Sequence, residues 1–502
     1  MRTVLLTSLL LATSSSSCTA PGGGQGPERP ARRPNILLVV SDDHAAHALS
    51  CYGGKLDRTP GLDRLAAEGM RFDRAFVTNA LCGPSRATVL TGRYSHVNGF
   101  AQNDQRFDAG QWTVARALQQ AGYATAAVGK WHLEANPVEA GFDRGIVLPG
   151  QGRYTDPFFL VDGKRTKVDG YASERITDFA IQWLQERPAD KPFFLFLGHK
   201  APHREWSPPP HLLAEYRSRT FAEPATLFDD HATRSDAARL ATMTVARDLT
   251  RTDVKMDVPP GLEGADRVRW HYQRYIQDYL ATVRGMDEQV ARLLSWMDEH
   301  GLAEDTIVVY TSDNGFFLGD HGFYDKRFMY EESMRVPLLV RWPGVVQPGT
   351  AQQAMTLNTD FAATLLEAAG APVPEGLQGR SLVPLLQGRQ PADWRDDAYY
   401  HYYEHLATHN VHEHYGVRTA THKLIRFPHL DAWELYDLVA DPEELVNVAP
   451  DPSYAAVRRD LEQRLARLRA ELRVPAEGAA QVRGPAPPTV TAPGPARSRR
   501  PS

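Results

Sequence analysis

The sequence predicts an α/β fold: a mixed, mostly parallel sheet flanked by helices, with a smaller antiparallel α+β domain at the C-terminus. Three observations predict it. Short apolar runs alternate with helical stretches, as in βα units around a parallel sheet. Four of those runs are followed at once by charged or metal-capable side chains. Past residue 385 the pattern changes to short, aromatic-rich strands separated by turns.

In chain order, residues 1–20 read as an export signal, with Arg2, a short apolar run Val4–Ala12 and small residues to Ala20. About nine apolar residues are too few to cross a bilayer, which takes ~20. Cys18 follows a run of serines and leaves lipid attachment open as an alternative to simple cleavage. Residues 21–33 (PGGGQGPERPARR) form a Gly/Pro linker, and 476–502 are rich in Pro, Ala and Arg without periodicity. The catalytic portion is then 34–385, and 386–475 the smaller domain.

The four runs are Ile36–Val40, Ala124–Val128, Phe193–Leu197 and Ile307–Thr311. Behind them stand Asp42 and Asp43, Lys130 and His132, Lys200 and His203, and Asp313 and Asn314. Ligands of open α/β sheets bind just beyond the carboxyl ends of the strands, so neighbouring parallel strands would gather all four clusters at one edge. Tyr279, Val283, Met286, Val290, Leu293 and Met297 step by three and four, predicting a long helix that ends near Gly301. Beyond it, Ala398–Tyr403, Tyr415–Ala420, Lys423–Phe427 and Trp433–Tyr436 predict an antiparallel meander. A last helix carries Tyr454, Val457, Leu461, Leu465, Leu468 and Leu472 on one stripe.

Composition narrows the function. The chain has 502 residues, with 56 Lys and Arg against 61 Asp and Glu, and shows no basic stripe for nucleic acid. No segment has the length and apolarity of a transmembrane span. There are three cysteines; with Cys18 removed or lipidated, Cys51 and Cys82 are the one pairing left, a thin framework for a large exported protein.

Pro84 suits the first turn of a helix, which places Cys82 at its N-terminus, where amide dipoles favour anions and raise cysteine reactivity. A buried structural Cys is the alternative. Asp42, Asp43, Asp313 and Asn314 are hard oxygen donors, a set that selects Ca²⁺ or Mg²⁺ over zinc.

The stretch CGPSRATVLTGR, running from Cys82 through Thr91, Gly92 and Arg93, resembles the signature of the sulfatase family. That resemblance implies an alkaline-phosphatase-like fold and a Cys82 oxidised to formylglycine by a maturation enzyme, its hydrate supplying the nucleophile. It implies one calcium held by Asp42, Asp43, Asp313, Asn314 and the formylglycine oxygen. Arg86, Lys130 and Lys326 would stabilise the sulfuryl group, and Arg93 would brace the helix through ion pairs. His132, in GKWH, is similar to the base that takes a proton from the second diol hydroxyl and expels sulfate. His203, in KAPH, is similar to the acid that protonates the leaving oxygen.

A finer similarity, in GFFLGDHGFYDKRFMYEES, HNVHEHYGVRT and WELYDLVADPEELVN, is to glucosamine-6-sulfatases and sulfatases of mucin or glycosaminoglycans. It implies a sulfated carbohydrate such as 6-O-sulfated N-acetylglucosamine. Independently of it, His409 and His414 offer contacts to a sugar at a pocket rim, with Tyr402 and Tyr415 as stacking faces or core; His321, between Asp313 and Lys326, is another substrate contact, and Lys200 is either one more or a surface cation beside the pocket. Rival readings are a phosphonate or phosphodiester hydrolase of the same fold and a non-catalytic glycan-binding surface protein. The latter predicts loss at Cys82, His132 or the metal ligands, and none is lost.

Overall fold

The computed structural model describes residues 33–477. The expected signal, linker and tail lie outside the described residues, apart from Arg33, Ala476 and Glu477.

The four apolar runs form the strands Asn35–Ser41, Ala124–Lys130, Phe193–Gly198 and Thr306–Ser312, each slightly longer than predicted. They sit side by side at the centre of a ten-stranded sheet. Its order is Thr350–Gln352, Met70–Phe72, Leu338–Arg341, Thr306–Ser312, Asn35–Ser41, Phe193–Gly198, Ala124–Lys130, Arg144–Leu148, Phe158–Val161 and Lys164–Lys167. The five strands from Thr306–Ser312 to Arg144–Leu148 pair in parallel, while Leu338–Arg341 and the Phe158–Val161 and Lys164–Lys167 strands pair antiparallel. The mixed, mostly parallel sheet is as the sequence predicts.

Both faces of this sheet are covered, which is why its strands read as unbroken apolar runs and not as alternations. Ile36, Leu38 and Val40 enter one core with Ala87, Leu90, Val114 and Phe361. Leu37 and Val39 enter the other with Ile176, Met286, Val290, Leu293 and Met297. Full burial of each such side chain stabilises the fold by about 1.5–3 kcal/mol. With both faces sealed by helices, polar chemistry has room only at the strand ends.

The helix predicted around Tyr279–Met297 spans Gly264–Glu299. Its N-terminal half carries Tyr272, Tyr275 and Tyr279, packed against Trp206 and Phe316. The stepping pattern caught Tyr279 but not the turns before it, whose buried residues include His271, Tyr272, Arg274 and Tyr275.

The C-terminal meander is Asp397–Tyr402, His414–Thr419, His422–Phe427 and Ala432–Asp437, antiparallel in that order. Helix Ala455–Glu471 buries Leu461, Leu465 and Leu468 of the predicted stripe. Among the described residues no helix is long and apolar enough to cross a membrane. Cys51 and Cys82 are both free.

Candidate active site

Cys82 opens helix Cys82–Thr91, with extended Leu81 as its N-cap and every residue of the helix buried. The approach is close enough to demand glycine next to the cysteine. A Cβ on Gly83 would lie 2.6 Å from the Phe100 ring and 2.8 Å from Asn103 Oδ1, the atom that accepts from the Gly83 amide at 3.1 Å. At the other end Gly92 adopts a left-handed φ of 62° that a side chain would strain. Asn98 Nδ2 donates to the Arg93 carbonyl at 3.0 Å, and among the described residues no ion pair holds Arg93. The expected ion-pair brace is replaced by this backbone contact.

The unmodified thiol is not activated. Burial pushes it well above its ordinary value, and Asp42 and Asp43 add to the push against Lys326 and Lys130.

Around Cys82 the strand ends converge. One ligand atom each from Asp42, Asp43, Cys82 and Asp313 lies within 4.8 Å of the others, and Asp42 and Cys82 form a second such group with His203. Asp43 turns in with a positive φ of 66°. Its backbone amide donates to Asp313 Oδ1 at 3.2 Å, and Asn314 Nδ2 donates to its carboxylate at 2.6 Å. Asp42 Oδ1 and Asn314 Oδ1 are buried without a partner. Two orphaned oxygens among three buried carboxylates fit a hard divalent cation.

Cations close the cup. Lys130 Nζ meets Asp42 and donates to Gln151 Oε1 at 2.5 Å. Lys326 Nζ lies 2.6 and 2.7 Å from the Asp43 oxygens. Arg86 is fully buried, donating from Nε to Asp313 at 2.8 Å and from Nη1 to the Lys130 carbonyl at 2.8 Å. Burial alone would raise Asp42, but Lys130, His203, Arg86 and Lys326 together hold it well below the carboxylate range. Burial raises Asp43, with Asp42 and Asp325 adding to it against Lys326. Burial, then Asp42, pushes Asp313 up to about 7. A cation among the three would relieve both the desolvation and the mutual repulsion.

The two histidines flank the cup. His132, at a positive φ of 57°, meets the Gln151 amide nitrogen through Nε2 at 3.2 Å, and its Nδ1 has no partner. Because Gln151 gives its oxygen to Lys130, its amide N–H faces His132 and leaves Nε2 as the acceptor. His203 turns Nδ1 to the Arg204 carbonyl and sets Nε2 3.9 Å from Asp43 Oδ2. Burial, then Lys130, lowers both imidazoles well below their ordinary value.

The remaining expected contacts separate. Lys200 is buried, with its ammonium 4.8 Å from the Tyr154 ring centre. His409 Nε2 lies 3.0 Å from Asp325 Oδ2, next in sequence to Lys326. His321 is fully buried, with its ring nitrogens against Asp229, Arg234 and Glu332. His414 is equally buried, its Nε2 accepting from the Met329 amide. Neither can reach a ligand, so both are corrected from substrate contacts to packing residues; their aromatic neighbourhoods mark core. Tyr402 and Tyr415 likewise belong to that core.

Gln151, Asn103 and Tyr154 were missed. Gln151 follows the Arg144–Leu148 strand, so the strand-end rule that found the other clusters applies to it too; that strand is too short to stand out. Asn103 lies on a loop with no such signal.

Comparison with known proteins decides the family. The Sulfatase family profile matches residues 34–371, and N-sulphoglucosamine sulphohydrolase, C-terminal, matches 319–471. The chain belongs to the sulfatase family. It is 44% identical to an N-acetylglucosamine-6-O-sulfatase of Bacteroides thetaiotaomicron, over 91% of this chain and 89% of that one. It is 28% identical to the multifunctional alkaline phosphatase superfamily protein PehA of Trinickia caryophylli, over 86% and 94%. A solved structure in complex with its substrate D-glucosamine-2-N,6-O-disulfate superposes with a TM-score of 0.86 at 44% identity, covering 88% of this chain and 98% of that one. The sulfatase is thus a sulfuric ester hydrolase with an alkaline-phosphatase-like fold.

Proposed function

We propose that this sulfatase hydrolyses the sulfate ester of a sulfated amino sugar, 6-O-sulfated N-acetylglucosamine or a close relative, after Cys82 is oxidised to formylglycine by a maturation enzyme. The observation that carries the chemistry is the gathering of Cys82, Asp42, Asp43 and Asp313 within 4.8 Å. The sugar rests on the 44% identical relative and on the substrate bound in the superposed structure.

Asp42, Asp43, Asp313 and Asn314 would hold one Ca²⁺, which when bound lowers the pKa of a neighbouring oxygen and neutralises a sulfate oxygen. The aldehyde at residue 82 supplies, as its hydrate, an oxygen nucleophile. The chain's other groups do the rest. Lys130 and Lys326, each on a ligand carboxylate, offer positive charge to the sulfuryl oxygens as bonding shifts; each such contact contributes about 10²–10³-fold. Arg86 positions Asp313 and the Lys130 backbone through Nε and Nη1, and leaves Nη2, buried without a partner, to meet the sulfuryl group. His132, kept neutral with Nε2 as acceptor, would take the proton that releases sulfate at Nε2 as the Gln151 N–H gives up that lone pair. His203 presents Nε2 beside Asp43; the charge of a bound sulfate ester would favour its imidazolium, the form that can give a proton to the leaving sugar oxygen.

We assign catalysis to 34–385 and read 386–475 as a smaller domain whose His409, through Asp325, adjoins the Lys326 side of the cup. The N-terminal signal supports export to the periplasm or cell exterior, with lipid attachment at Cys18 as the anchored form. A panel of defined sulfated monosaccharides tests the reading. Turnover should be fastest with 6-O-sulfated N-acetylglucosamine or N-sulfoglucosamine; release of sulfate from 3-O- or 4-O-sulfated sugars alone would overturn it.

A further inference from the structure

Beside the cup lies a cleft of about 660 Å³ that shares Gln151 and His203 with it. Its charged wall is made of Arg153, Lys200, Arg204, Glu205 and Lys255. Two of these cations are already matched by the scaffold. Arg204 makes a bidentate pair with Asp253, both bonds 2.7 Å, and Lys255 lies 3.0 Å from Asp278. The other two are not. Lys200 is only 4% exposed, yet among the described residues its ammonium makes no hydrogen bond or ion pair, and rests on the face of Tyr154 alone. Tyr154 is itself fixed, donating to the His203 carbonyl at 2.6 Å and stacked on Tyr171. Arg153, exposed at the cleft's outer side, has no ion pair among the described residues.

A buried ammonium without a bonded anion is costly; Asp42 and Asp43 of the cup act on Lys200 through space but neither bonds to it, so an anion from outside would complete it. We propose that this cleft is a subsite for a second anionic group of the substrate, a sulfate or carboxylate on the same sugar or the next, held by Lys200 deep in the cleft and Arg153 at its rim. Glu205 also lines the cleft and would repel an anion placed beside it. The inference rests on the sulfated-sugar reading and names the feature of the sugar that the cleft selects: a doubly charged substrate over a singly charged one.

The test uses the mature enzyme and three substrates. These are 6-O-sulfated N-acetylglucosamine, 6-O-sulfated N-sulfoglucosamine, and a disaccharide joining 6-O-sulfated N-acetylglucosamine to a uronic acid. The second and third arms distinguish a sulfate on the same ring from a neighbouring carboxylate. At least one should exceed the singly charged sugar about tenfold in kcat/KM, the scale of one charge-assisted contact. In Arg153→Ala that ratio should fall towards one through KM, and Arg153→Lys should restore part of it. Lys200→Gln should lower the ratio further. Equal kcat/KM for all three sugars, or a preference that survives both substitutions, would overturn the subsite. No turnover of any of the three would overturn the sugar reading, and the subsite with it.

Discussion

Two of the clusters of buried charge among the described residues make a pair worth comparing, and one of them is the candidate active site. In the small sheet, Lys423 lies 2.6 Å from Glu444 and 3.0 Å from Glu331, and Arg418 lies 3.1 Å from Glu331. The Glu331 amide also donates to Glu444 at 2.7 Å. Every charge in that knot has its opposite at hand, and the knot ties the Glu331–Met334 turn to the small sheet. In the cup, three carboxylates crowd a cysteine, and oxygens of Asp42 and Asn314 are left without partners. Burial of charge is common to both, and both leave polar atoms without a hydrogen bond; but Lys423 Nζ and Glu444 Oε1 of the knot face each other as an ion pair, whereas Asp42 Oδ1 and Asn314 Oδ1 of the cup face no such partner. A structural cluster satisfies itself, whereas a site for an ion and an anionic substrate keeps places open for them.

The largest contrast should come from Cys82→Ala. Loss of the nucleophile is expected to cut turnover by roughly 10⁴–10⁶-fold, while the melting temperature stays within a few degrees of the parent. Lys423→Met should do the reverse. Removing one partner of a buried pair leaves Glu444 unpaired and costs about 3–5 kcal/mol in chemical denaturation, with kcat per folded molecule unchanged. If Lys423→Met lost turnover without losing stability, the division between the two clusters would be wrong.

Calcium removal sharpens the same comparison at a smaller scale. A cation bound at a hundredfold excess over its Kd adds about 2.7 kcal/mol to stability. A chelator should therefore lower the melting temperature of the parent by a few degrees, and of Lys423→Met equally, but leave Asp313→Ala unmoved. A chelator shift that persists in Asp313→Ala would place the ion elsewhere.

Smallest are the pH effects. Burial, then Lys130, keeps His132 neutral below the ordinary imidazole range, so the acid limb of kcat/KM should fall below pH 6.5. Burial raises Glu444 to about 7, Glu331 adding to it against Lys423. A raised acid contributes stability that is full below its ordinary 4.5 and is lost as pH rises through 7. Glu444→Gln should flatten that decline in denaturation curves taken between those pH values; an unchanged slope would remove Glu444 from the account.

Much of the cup was legible because its residues follow strands, and strand ends obey a rule. Asp42, Lys130, His203 and Asp313 are far apart in sequence but hold the same place in separate βα units, so the pattern predicted that they would meet if their strands were neighbours. Their meeting depended on strand order, which the sequence left conditional and the sheet supplies. The small sheet was harder to read for function. Tyr402, His414 and His321 lie in aromatic stretches where core and rim have the same composition, and packing alone decides between them. Lys200 was legible as a position but not as an unpaired charge, since absence of a partner is a property of the folded chain.

An oxidised Cys82, set among Asp42, Asp43 and Asp313, is proposed to perform the hydrolysis. The most direct test is peptide mass spectrometry across residue 82 of protein purified with full sulfatase activity. The account predicts that the thiol has become an aldehyde, with the mass of H₂S lost and that of one oxygen gained. Full specific activity with only unmodified cysteine at residue 82 would contradict it.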